Sequence, residues 1–190
     1  MLPSRSEAER LLKDAAASNP GKWETHSRVC ACCAERIAGA CGMDPDKAYI
    51  LGLLHDIGRK FGVGHLRHVS DGYKYMLSLG YDEAAKACLT HSFLIPDLAV
   101  YIGKIDTADE DTELVKSALE SAVYDDYDRL IQLCDALAGA EGVVNIEERM
   151  ADVKARYGYY PQEKWDGNVS LLKYFGDMAG CDIYRLCGKN

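Results

Sequence analysis

Hydrophobic positions recur with helical spacing along almost the whole chain, and the polar breaks between them mark out nine segments. Ser6 is placed to cap a first helix running to about Ala17, which the Asn19-Pro20-Gly21 turn ends. A second helix is predicted from about Trp23 to Ala40, stopped near Gly42. Asp44-Pro45 pairs an N-cap residue with proline at the first helical position. The third helix then carries Ala48, Leu51, Leu54 and His55 on one face and breaks at Gly58. Gly58, Gly62 and Gly64 mark a loop, and helices follow at about 68–79 and 82–92, divided by Gly80 as a C-terminal cap. Residues 96–110 form a polar connection with no assigned element. Further helices are predicted at about 111–123, 127–138, 145–157 and 163–178. No strand, repeat or low-complexity pattern interrupts them, so the expected fold is an all-α bundle of about eight or nine helices.

Composition narrows the function classes. A chain of 190 residues that is 48% hydrophobic can bury one core, which makes residues 1–190 a single expected domain. A net charge of −8 argues against gripping a nucleic-acid polymer through its phosphates. It leaves a nucleotide open as a small substrate, because a metal ion can supply positive charge locally. The N-terminal stretch has no signal-peptide apolar region, and no run approaches membrane-spanning length. The expectation is therefore a cytoplasmic protein without a membrane partner, and a homodimer is compatible with it. Most of the eight cysteines sit among Ala, Leu and Val, as buried thiols do.

Metal-ligand residue types are unevenly spread. All five histidines lie between residues 26 and 91. His26 opens the second helix, His55 ends the third, and His91 ends the fifth, with His65 and His68 flanking the glycine-rich loop. Asp135 stands in Leu133-Cys134-Asp135-Ala136-Leu137-Ala138, where a carboxylate beside a core face costs several kcal/mol unless something pairs it. A metal ion and an arginine are both suitable partners. Singly, each of these residues is equally readable as a helix cap, a buried couple or a salt bridge. A zinc knot from Cys30, Cys32, Cys33 and Cys41 is disfavoured, because Cys32 points away from the face shared by Cys30 and Cys33.

Together the pattern is more specific. His26, then Leu53-Leu54-His55-Asp56-Ile57-Gly58-Arg59, then Asp135 resembles the HD-domain superfamily of metal-dependent phosphohydrolases over roughly residues 24–138, with residues 139–190 packing on that core. The resemblance implies that His26, His55, Asp56 and Asp135 bind a first metal. The two-metal branches add two histidines between the doublet and the last aspartate; His68-Val69-Ser70-Asp71-Gly72 and Cys88-Leu89-Thr90-His91 match these. Asp56 would then bridge to a second ion held by His68 and His91. Those branches include symmetrical diadenosine tetraphosphate hydrolases and cyclic-di-GMP phosphodiesterases. Here the interval from doublet to His68 is short, and the Gly-Tyr-Pro element of the cyclic-dinucleotide enzymes is absent.

Imidazole and carboxylate ligands suit iron, manganese, zinc or nickel better than magnesium. One or two such ions would activate water against a small phosphorylated substrate, a nucleotide by the resemblance, with Asp56 and Arg59 as the catalytic pair. Arg59 is the expected phosphate clamp, and Lys60 and Arg67 are further substrate-binding candidates. Asp71 is placed either to orient a ligand histidine or to cap its own helix. The alternative function is a catalytically silent module of the same type that binds a nucleotide as a sensor.

Overall fold

The computed structural model describes residues 1–189. Ten α-helices follow in order: α1 (Arg5–Ser18), α2 (Trp23–Ala40), α3 (Pro45–Leu54), α4 (Leu66–Ser78), α5 (Asp82–Thr90), α6 (Asp109–Ser121), α7 (Asp126–Leu137), α8 (Ile146–Tyr157), α9 (Gln162–Ala179) and α10 (Ile183–Cys187). No strand occurs among the described residues; Ala138 and Val143 make one isolated bridge. The short α10 was not expected from periodicity, which five residues are too few to display.

The third helix is the centre of the bundle. Asp44 caps α3 by accepting from the Asp46 and Lys47 amides, with Pro45 at the first helical position. Every residue from Ala48 to Leu54 is then buried, so α3 has no solvent face and its pattern is not amphipathic. Ala48 and Leu51 join a core with Ile37, Leu130, Leu133 and Phe175. Ile50, Leu53 and Leu54 join a second core with Leu12, Met76 and Cys88. A third cluster, including Leu66, Phe93, Val115 and Leu119, packs α4, α5 and α6 together.

Several boundaries differ from expectation, each for a local reason. Ser4, not Ser6, caps α1, its hydroxyl accepting from the Glu7 amide at 3.2 Å while its own backbone is extended. His55 and His91 sit at the C-caps of α3 and α5 rather than inside them. The chain after Asp56 tightens into a 3₁₀ turn over Ile57–Phe61 instead of an open loop. A second 3₁₀ turn, Leu98–Val100, lies in the polar connection.

Gly58 is therefore not a helix breaker. It lies inside the 3₁₀ turn, where a Cβ would stand 2.0 Å from the His68 carbonyl oxygen and 2.5 Å from the Gly72 amide nitrogen. Gly58 and Gly72 let the turn after the doublet press directly on α4. Gly52 does the same between α3 and α2, where a Cβ would approach the Ala31 Cα to 2.9 Å. These contacts are with backbone, which cannot swing aside as a side chain can.

Gly58→Ala is therefore expected to lower unfolding stability in urea by about 1–3 kcal/mol, the usual cost of overpacking. Gly39→Ala, on an exposed turn of α2 with nothing near its Cβ, should be neutral or stabilise by about 0.5–1 kcal/mol. Equal midpoints for the two variants would contradict the close approach at Gly58.

Candidate metal centre

Five elements converge on one end of the bundle. The first turn of α2 supplies His26, the end of α3 supplies His55 and then Asp56, and α4 supplies His68. His91 stands at the end of α5, and Asp135 projects from α7. His26, His55, Asp56, His68 and His91 are all buried. Asp135 keeps 29% of its side chain exposed.

Each of the four imidazoles is fixed through its Nδ1 to a main-chain carbonyl. His26 donates to Ala138 at 2.9 Å, His55 to Gly52 at 2.7 Å, and His91 to Cys88 at 2.9 Å. His68 donates to the His65 carbonyl. Only an N–H satisfies a carbonyl, so in each neutral ring the proton is on Nδ1 and Nε2 carries a lone pair. The Ala138 carbonyl is presented by the loop closed by the Ala138–Val143 bridge.

The Nε2 atoms then meet in pairs. His26 and His55 approach to 3.3 Å, and His68 and His91 to 3.2 Å. Asp135 Oδ1 lies 2.9 Å from His26 Nε2 and 3.7 Å from His55 Nε2. Asp56 Oδ1 lies 3.2 Å from His68 Nε2 and 3.7 Å from His91 Nε2. The result is two sets of two nitrogens and one oxygen, each with its ligand atoms within 4.8 Å of one another. Lone pairs facing lone pairs and carboxylates repel unless a cation lies between them. Metal–ligand bonds of about 2.0–2.2 Å place neighbouring ligand atoms about 3.0–3.5 Å apart, close to the separations here. The donor set fits a divalent metal.

Protonation of the second set does not relieve the repulsion at neutral pH. Burial pushes His68 down to about 4 and His91, which faces His55, down to about 3. Burial also works against ionisation of Asp56, but the Arg59 guanidinium foremost outweighs it and holds the carboxyl well below its usual range. Asp135 is likewise held well below its usual range against its desolvation, beside His26 and His55.

The ligand atoms fall into one set of His26, His55 and Asp135 and another of Asp56, His68 and His91. Arg59 Nε holds Asp56 Oδ2 at 2.6 Å, and Oδ1 faces His68. The two sets remain neighbours, with the His55 and His91 rings 5.0 Å apart.

Other expected residues are distributed less evenly. Arg59 lines the cavity above the cluster, with Nη1 3.5 Å from the Gly64 carbonyl. Lys60 turns away to the Tyr75 hydroxyl at 3.2 Å, and Arg67 pairs with Asp71 at 3.2 Å; neither lines the cavity. Asp71 thus neither orients a histidine nor caps α4, because it lies in mid-helix between Arg67 and Lys74. No cysteine joins a metal-binding group among the described residues. Cys30 and Cys33 are buried and Cys32 is exposed. Of the C-terminal aromatics, Phe175 is core, whereas Tyr157 and Tyr160 line the cavity.

The cavity measures about 500 Å³. Its lining includes residues with no motif to announce them: Gln132 on α7, Arg149 on α8, and Lys164 and Asn168 on α9. Lys164 donates to the Ser92 carbonyl at 2.9 Å, and burial pushes its amine down to about 8. Gln132 donates from Nε2 to the carbonyls of Thr90 and Phe93 at 3.0 Å each, which ties α7 to the segment holding His91. Its Oε1 has no partner among the described residues. Gln132 had a legible signal, an amide in the otherwise apolar Leu130-Ile131-Gln132-Leu133 one helical turn before Asp135. Arg149 and Lys164 had none.

An all-α protein with paired histidine–aspartate sets at the floor of a cavity defines a class of helical metal-site proteins. The family model for the HD domain matches residues 23–140, more than half of the chain, and the protein belongs to that family. The matched span contains all six converging residues and ends before α8. Comparison with curated proteins and with solved structures found no match.

Elemental analysis of the purified protein is expected to find two divalent transition-metal ions per chain. His68→Ala and Asp135→Ala should each lower this to one, by emptying different sets, while Cys32→Ser leaves it unchanged. Full occupancy in both ligand variants would contradict the assignment.

Proposed function

We propose that this protein is a metal-dependent phosphohydrolase acting on a small phosphate ester, with a nucleotide as the favoured substrate class. The observation that carries the proposal is the convergence of four Nε2 lone pairs and two carboxylates at the floor of a cavity lined by cations. Divalent metal held by these residues would supply a Lewis acid that acidifies water and offsets phosphoryl charge. Iron, manganese, zinc or nickel suits the nitrogen-rich ligands better than magnesium.

The chain's own residues divide the remaining work. The four carbonyl contacts hold the imidazoles in the ligating tautomer and orientation, so the site is organised before substrate arrives. Asp56 presents Oδ1 to the second set while Arg59 holds Oδ2, which couples the doublet to the phosphate-facing guanidinium. The η nitrogens of Arg59 then remain to meet an oxygen of the transferring phosphoryl group, where charge builds in the transition state. Lys60 and Arg67 have no part in this proposal, since both are engaged outside the cavity.

Protein loaded with Mn²⁺ or Fe²⁺ should release phosphate from at least one member of a panel of nucleoside phosphates, dinucleoside polyphosphates, cyclic dinucleotides and sugar phosphates. Asp56→Asn should abolish that release. Arg59→Ala should lower kcat/KM on the order of 10²–10³-fold, the usual effect of removing one donor to a developing oxyanion. Metal-loaded protein with no turnover of any of these would point instead to a silent nucleotide-binding module.

A further inference from the structure

The cavity is not formed by the HD-matched segment alone. Part of its wall comes from α8, α9 and the turn between them, which lie beyond residue 140 and contribute Arg149, Met150, Tyr160, Lys164 and Asn168. Two of these are cations without a carboxylate partner. The Arg149 guanidinium has no hydrogen bond or ion pair among the described residues, and the Lys164 amine meets only the Ser92 carbonyl. Most of the other cations around the cavity are already engaged: Arg59 by Asp56, Arg156 by Asp152, and Lys22 at 3.7 Å from Glu141. The chain carries 30 acidic side chains against 22 basic ones, so two uncompensated cations facing one concavity are not a consequence of composition.

Both cations stand on helices packed against the cavity. Lys164 is partly buried against the segment that follows His91, and Asn168 donates back to its carbonyl at 3.1 Å within α9. Arg149 follows the Asn145-capped first turn of α8, beside the buried Met150. Neither is a residue that would ligate a metal. Arg59 already faces the position of the reacting phosphoryl group, so the added charge serves something else.

We propose that Arg149 and Lys164 form a second anion subsite, making them specificity-determining residues for a substrate that carries an anionic group besides the one at the metal cluster. The substrate class is accordingly a bisphosphorylated compound or a phosphoanhydride, not a simple phosphate monoester. This rests on the phosphohydrolase proposal for the first anion, but the two cations hold the second by themselves.

The test uses the full-length protein as purified, with its metal content measured. Calorimetric titration compares alkane-1,ω-diphosphonates of three to six carbons with monophosphonates of the same length, since neither is hydrolysed. At least one diphosphonate should bind about tenfold or more tightly than its monophosphonate, the scale of one added charge-assisted hydrogen-bond set. Arg149→Ala and Lys164→Met should each remove most of that advantage and change monophosphonate binding less than about threefold. Arg149→Lys should keep part of it. Arg149 is only partly buried, so its variants stay informative even if Lys164→Met misfolds. Equal binding of mono- and diphosphonates by the wild type, or an advantage that survives both substitutions, overturns the subsite. A diphosphonate advantage that is lost in both variants, together with no phosphate release by the metal-loaded protein, would overturn the phosphohydrolase proposal and leave the subsite standing.

Discussion

Four hydrogen bonds from imidazole Nδ1 atoms to main-chain carbonyls are the constraint on which the rest of the site depends. A histidine free to flip or change tautomer could satisfy a neighbouring carboxylate as a simple donor, and the cluster would be an ordinary buried polar network. With Nδ1 committed, each Nε2 is left as a lone pair in a buried space beside a carboxylate. Such an arrangement is costly on its own and favourable around a cation. Two of the carbonyls, Gly52 and Cys88, come from the turn just before the histidine they hold, so helix termination and ligand orientation are one structural event.

Placement of these helix ends is in turn a packing matter. From Ala48 to Leu54 the helix α3 is buried on all sides, and its last residues cannot move without disturbing two cores. Gly58 and Gly72 allow α4 to close directly on the turn after the doublet, which brings His68 to Asp56. The chain from Lys86 to Thr90 is tied to α7 by Lys86 Nζ on Asp128 Oδ2 at 2.5 Å and by Gln132 on the Thr90 carbonyl. His91 and Asp135 are thereby held at the same end of the bundle. Polar contacts of this kind gain strength from burial; among the described residues the buried side-chain atoms left without a partner are the Ser27 and Ser70 hydroxyls and Gln132 Oε1, and Gln132 lines the cavity.

Charge is separated across the molecule in a way that composition hides. The chain is acidic overall, yet the cavity above the cluster collects Arg59, Arg149 and Lys164, and its carboxylates Asp56 and Asp135 both belong to the ligand sets. An anion entering it meets a locally positive surface within a protein that otherwise repels it.

The all-α class, the helices α1 to α9, the order of the six ligand-type residues and their family resemblance were legible in the sequence, because periodicity, caps and residue identity are local properties. Asp135 betrayed itself as a carboxylate in an apolar stretch, and Asp44-Pro45 announced the start of the central helix. Tertiary structure alone decided how closely α4 approaches the doublet and that Arg59 takes Asp56 Oδ2, because both depend on packing between distant segments. It also decided that Lys60 and Arg67 face away while Arg149 and Lys164 face in. A charged residue at a helix surface has the same local signature whichever way it points. Only the packing of α8 and α9 against the preceding helices determines which of them lines the cavity.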